Sequence, residues 1–291
     1  MLKQESKNHH FVPQFLLRPW EVEPRPGQRD LRGYWWDQTR IALACKVRGV
    51  RSFCFQIDLL TLRDHPLGRD AIERIFFGPI DTKGAAAQDV LMRQGPNELS
   101  GDQRCDFARL LLSLEARRPL VVNRLRTMLR DHLASELDAD PEIRAAMVEQ
   151  GISEPASSYL EKQHGSLLED SALTIVQNLV ENPEIGGQLI NAHWGVRRLD
   201  DLDGSLVLSD RPLIRIHGYD KPGANWVLPM NPHAAFVACN DQANLAKLMG
   251  LSGQRFVKAV NVSSAAQAER FVFCADQSHE QWLNTHLRPK G

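Results

Sequence analysis

Apolar positions change their spacing twice along these 291 residues. In the first third, "LRGYWWDQ" and "KVRGVRSFCFQ" are rich in aromatic and β-branched residues and stand on either side of a short connection. They predict two strands, paired as a hairpin. Ahead of them, "EPRPGQRD" carries prolines and a glycine and predicts no regular element. "GRDAIERIFFG" and "AAAQDVLMRQ" predict helices interrupted by "GPIDTKG". In the middle, Phe107, Leu110, Leu111 and Leu114 recur at helical spacing, and Val121, Val122, Leu125, Met128 and Leu129 repeat the pattern. Ser100 or Asp102 is placed to cap this run, and Pro119 predicts a kink or break inside it. Shorter amphipathic stretches follow at Glu142–Gln150, Ser157–Lys162 and Leu167–Val180.

The last third returns to short apolar or alternating runs, "HWGVRRL", "SLVLSDRPLIRI", "NWVLPMNPHAAFVAC" and "FVKAVNVS", which predict strands. "AAQAERFVFC" begins as a helix, and "SHEQWLNTHL" predicts a closing one. The expectation is an α+β chain, a single domain over residues 1–291 with a helical middle at about 69–190, its terminal strands sharing one sheet.

Composition narrows the function classes. The chain is 43% hydrophobic and 24% charged, which excludes wholesale disorder, and a net charge of -1 gives no global pull toward nucleic acid. Five scattered cysteines without a CxxC pair fit reduced thiols better than a disulfide framework. The polar N-terminus predicts no secretory signal, and no run approaches the ~18 apolar residues of a membrane span. The expected location is the cytoplasm. P-loop, GxGxxG, GxSxG and HExxH motifs are missing.

Candidate chemistry starts at "NHHFVP". Imidazoles suit proton transfer and metal binding, and the residue before Pro13 is driven extended, which makes a stiff mount for His9 and His10. Neighbours on a strand face opposite ways, so one imidazole would coordinate while the other packs; a solvated, inert pair is the alternative. In "VLSDRPLI", Asp210 at a strand end is either a ligand or base, or the acceptor of an Asx turn. Glu73 shares a helical face with Phe76 and Phe77, either snorkelling or held for a purpose. Asp81 suits a helix cap, and Arg117 an anion or a structural ion pair.

Taken together, "NHHFVPQFLLRPW", "AIERIFFGPIDTKGAAA", "SLEARRP", "HWGVRRL…LVLSDRPL" and "WVLPMNPHAAFVA" resemble the bacterial family catalogued as domain of unknown function 4238, from His9 to about Val272. The resemblance implies site positions at His9, His10, Pro13, Gln14, Glu73, Arg117, Ser209, Asp210 and Pro212, without an activity. His-His-x-x-Pro is also similar to the opening of HNH-type nucleases, but "QFLLRPW" departs from that pattern and His65 is the only nearby stand-in for its later residues. The resulting expectation is a divalent-metal-dependent hydrolase acting on a phosphodiester or nucleic acid. In it His9, His10, Gln14, Arg117 and Ser209 do the chemistry, while His10, Glu73 and Asp210 hold Mg or Mn, with Zn as the other candidate. The competing expectation is a non-enzymatic binding or regulatory module in which His-His and Ser-Asp-x-Pro are structural corners.

Overall fold

The computed structural model describes residues 7–62, 66–165, 167–218, 221 and 223–288, and within them the chain is α+β. Its strands are β1 (Asn8–His10), β2 (Glu21–Arg25), β3 (Gln28–Asp37), β4 (Ala42–Arg48), β5 (Phe55–Ile57), β6 (His193–Arg198), β7 (Leu208–Ser209), β8 (Ile214–Ile216), β9 (Asn225–Asn231), β10 (Ala234–Cys239) and β11 (Val272–Phe273). Two compact units divide the chain. One gathers the N-terminal residues to His9 with Gln56–Pro79 and Ala116–Glu181; the other takes His10–Phe55, Ile80–Glu115 and Asn182 onward. Among the described residues no helix is long and apolar enough to cross a membrane, and all five cysteines are free.

The second unit holds two sheets. The larger runs β2–β3–β11–β7, with β4 also on β3, so N-terminal and C-terminal strands do share a sheet. The hairpin of β3 and β4 forms as the composition predicts, Tyr34 opposite Cys45 and Trp36 opposite Leu43. Gly33 makes room on one face: a Cβ there would lie 2.8 Å from the Phe53 ring and 3.1 Å from Phe273. Those rings meet edge-on at 5.3 Å and form a cluster with Phe271 and Trp35. The other C-terminal strands form their own sheet, β6–β10–β9–β8. It packs Val227, Ala235 and Val237 against Leu245, Phe256 and Val260 of two helices, Gln242–Met249 and Gly253–Gln267.

The first unit is mainly helical. The helix Pro119–Ala139 packs against Leu167–Val180 and Ala156–His164. Asp140 starts the next helix, Pro141–Glu149, by accepting from the N–H groups of Glu142 and Ile143. Arg126 reaches back from Pro119–Ala139 to the Thr61 carbonyl at 3.1 Å.

Several local expectations hold, and others are corrected. Ser100 caps Gly101–Ala116 through a reciprocal pair: its Oγ accepts from Gln103 N–H, while the Gln103 side chain accepts from Ser100 N–H. Pro119 breaks the long run and opens the next helix at its first position, where the missing N–H costs nothing. In contrast, "FVKAVNVS" is helix, not strand. Its buried residues Phe256, Val257, Val260, Asn261, Ser264 and Ala265 recur at helical spacing, which outweighs the β-branched composition. "EPRPGQRD" is the tip of a hairpin between β2 and β3. Gly27 turns it at φ +76°, and Pro24 is tolerated because β2 is an edge strand. Gly49 ends β4, so "KVRGVRSFCFQ" divides between β4 and β5. "GPIDTKG" does not interrupt the helix before it. A π-turn at Ile72–Phe77, closed by Gly78 N–H on the Glu73 carbonyl, runs directly into Gly78–Arg93, with Asp81 in its first turn instead of at a cap. The wider π-turn brings the chain to Pro79 without a break.

Gly33→Ala tests the close packing in the shared sheet. The added methyl must displace a buried aromatic ring, so unfolding stability should drop by about 1–3 kcal/mol, read as a lower urea midpoint at unchanged slope.

Candidate functional site

The predicted site residues divide between the units. In the first, β1 exposes Asn8 and buries His9 completely, the alternation expected of neighbours on a strand. His9 Nδ1 accepts from the Leu60 N–H at 2.8 Å. A ring nitrogen that accepts carries no hydrogen, so the neutral ring keeps its hydrogen on Nε2. That nitrogen lies 3.6 Å from Glu73 Oε2, a separation too long for a direct hydrogen bond.

Glu73 stands on the π-turn, with its side chain 26% exposed while His9 behind it is sealed. π-turns often mark functional positions, because the extra residue re-aims a side chain that a regular α-turn would direct elsewhere. Four residues on, Phe77 is buried, and the Arg117 guanidinium lies 5.2 Å from the centre of its ring, within cation–π range. Arg117 is itself only 1% exposed. One π-turn therefore carries a solvent-reaching carboxylate and a ring on which a buried cation rests. His9, Glu73 and Arg117 are the predicted residues that this unit brings to one turn.

The second unit holds the others. His10 begins it, half-buried and tilted against Phe55 at 5.9 Å. Gln14 starts the short helix Gln14–Leu17 after Pro13. Ser209 donates to the Arg211 carbonyl at 2.6 Å. Asp210, buried, accepts three backbone N–H bonds: Glu269 on Oδ1 at 2.9 Å, then Arg270 at 2.8 Å and Phe271 at 3.0 Å on Oδ2. The Asp210 N–H in turn donates to the Phe271 carbonyl. This is the turn-like use of Ser-Asp-x-Pro, with a partner segment about sixty residues away in place of a local one. Nearby, Arg211 pairs with Glu115 at 3.2 Å. His65 lies outside the described residues.

Among the described residues, no group of three or more His, Cys, Asp or Glu side chains is arranged to hold a metal ion. Glu73 offers one carboxylate. That suits Mg²⁺ or Mn²⁺, which commonly take one or two carboxylates and complete their shells with water and substrate oxygens. The signals that sequence reading missed are the π-turn and the Leu60 N–H. Only the run "AIERIFFG" before Pro79 hinted at either.

Burial pushes the Asp210 carboxyl up to about 6, against the lowering pull of its three N–H donors. A carboxyl raised in the folded chain stabilises it in the protonated state. That share is full below the unfolded value of about 3.9 and is lost as pH rises through the folded value. Urea midpoints of the wild-type chain should therefore fall between about pH 4 and pH 7 more steeply than those of Asp210→Asn. At neutral pH the variant should still be weaker by about 1–3 kcal/mol, because one amide cannot accept all three N–H groups.

Set against known protein families, the chain matches one described as "Protein of unknown function (DUF4238)" over residues 8–278, so the resemblance drawn from its motifs holds over nearly the whole length. No curated protein and no solved structure matches it.

Proposed function

The chain belongs to the DUF4238 family, and we propose that it is a divalent-metal-dependent hydrolase of phosphodiesters whose working carboxylate is Glu73. One observation carries this reading: a π-turn presents Glu73 to solvent in front of a sealed His9 whose Nδ1 is held by the Leu60 N–H. Glu73 would hold Mg²⁺ or Mn²⁺ through its carboxylate. When bound, that ion polarises a phosphoryl oxygen and lowers the pKa of attached water. His9 acts through Glu73: its Leu60-anchored ring, 3.6 Å from the carboxylate, limits that group's rotation. Arg117, buried on Phe77 of the same turn, adds a fixed positive charge that favours an anionic substrate. A short nucleic acid is one such substrate.

A second reading has its own support. Ser209 and Asp210 spend their side chains on backbone partners, as expected of structural corners in a binding or regulatory module.

Hydrolysis of bis(p-nitrophenyl) phosphate with Mg²⁺ or Mn²⁺, alongside calorimetric Mn²⁺ titration, separates the two. Glu73→Gln should cut the rate by about 100-fold or more and abolish Mn²⁺ binding. His9→Gln should weaken Mn²⁺ affinity about 10- to 100-fold while leaving the fold intact by circular dichroism. A folded wild-type chain that neither binds Mn²⁺ nor hydrolyses the diester leaves the binding module as the surviving account.

A further inference from the structure

A separate cluster lies in the second unit, where Ser205, Asp276 and His279 meet. Ser205 follows Gly204, whose φ of +89° turns the chain out of the short 3-10 segment Asp201–Asp203. Its backbone is pinned by the buried Asn261: the Ser205 carbonyl accepts from Nδ2 at 2.9 Å, and Oδ1 accepts from Val207 N–H at 2.9 Å. The hydroxyl is equally well placed. Ser205 Oγ donates to Asp276 Oδ2 at 3.2 Å and lies 2.8 Å from His279 Nε2, to which the same hydroxyl can turn its hydrogen when that nitrogen carries none.

The ring of His279 sits edge-on to Trp282, 6.3 Å between centroids. Burial holds it below its ordinary value despite the opposing pull of Asp276, so at neutral pH it is uncharged and able to take a proton. Burial raises the Asp276 carboxyl, but the Ser278 side chain, the Ser278 N–H donating at 2.7 Å and the Ser205 hydroxyl outweigh it. The result is an ionised carboxylate beside a neutral base and a hydroxyl. Gln277 and Ser278, between Asp276 and His279 in sequence, line an open cavity of about 700 Å³ together with Leu43 and Gln281.

We infer that Ser205 is a nucleophilic serine with His279 as its general base, in a site that accepts carboxylic esters. The distances meet the requirement that nucleophile and base lie within hydrogen-bond reach. In the step they allow, the Ser205 hydroxyl proton passes to His279 Nε2 as Oγ bonds to the ester carbon. The ester C–O bond breaks and the leaving alkoxide takes that proton, departing as the alcohol. Water then gives a proton to Nε2 while its oxygen attacks the acyl carbon. The acid leaves and Ser205 Oγ recovers its hydrogen. The Asp276 charge stabilises the imidazolium that forms each time.

The test uses the full chain and a fluorophosphonate probe. Here Oγ–P forms, P–F breaks, fluoride leaves, and the hydroxyl proton goes to His279. Mass spectrometry should find one adduct, on the peptide containing Ser205, lost in Ser205→Ala and formed about 100-fold or more slowly in His279→Gln. p-Nitrophenyl acetate hydrolysis should fall in parallel. The inference is overturned by a folded wild-type chain that takes no label. It is equally overturned if Ser205 is labelled as fast in the urea-unfolded chain, or in a folded His279→Gln variant, as in the native one.

Discussion

The shared sheet depends on one buried carboxylate. β11 contributes only two residues, Val272 and Phe273, yet it joins β3 on one side to β7 on the other. A ladder that short has little intrinsic hold on register. Asp210, directly after β7, supplies the rest: its carboxylate gathers the N–H groups of Glu269, Arg270 and Phe271 as the chain enters β11. Bonds to an ionised acceptor are among the stronger ones in a protein, and leaving the buried Phe271 donor unmet would alone cost about 1–3 kcal/mol. The clamp also delivers Phe271 into the ring cluster with Phe53 and Trp35, linking electrostatics at the strand end to packing on the sheet.

A different economy governs the π-turn. It lets a helix that begins before Pro79 continue beyond it, and the same widening sets Glu73 where water reaches it. Its neighbours are arranged by charge. His9 is held at Nδ1 by a backbone donor, while Arg117 is buried against an aromatic face that partly offsets its lost hydration. Lysine could not replace it equivalently, because the planar guanidinium is more weakly hydrated and stacks on rings.

Much of the fold was legible in the pattern of residues. Long amphipathic runs such as Leu167–Val180 announce themselves because many positions must agree at one period. The misread elements are short or ambiguous ones. "FVKAVNVS" is apolar enough for either state, and only the sheet packed against Phe256 and Val260 decides for helix. The site was half legible. Histidine and carboxylate chemistry flagged His9 and Glu73, but whether Asp210 would meet a ligand or a backbone segment depended on residues some sixty positions away. Ser205 and His279, seventy-four positions apart, carry no local signature at all.

By itself the sequence determined the α+β class, an interruption at Pro119, a cap at Ser100 or Asp102 and the hairpin of β3 and β4. Each follows from interactions spanning a few residues, whose energies are nearly independent of the rest of the chain. Only the tertiary structure decided that Asp210 serves the sheet, that His9 stands sealed behind Glu73, and that a serine near β7 faces a histidine near the C-terminal helix. Those outcomes depend on which distant groups are excluded from water together, and burial of that kind is a property of the packed chain, not of any segment within it.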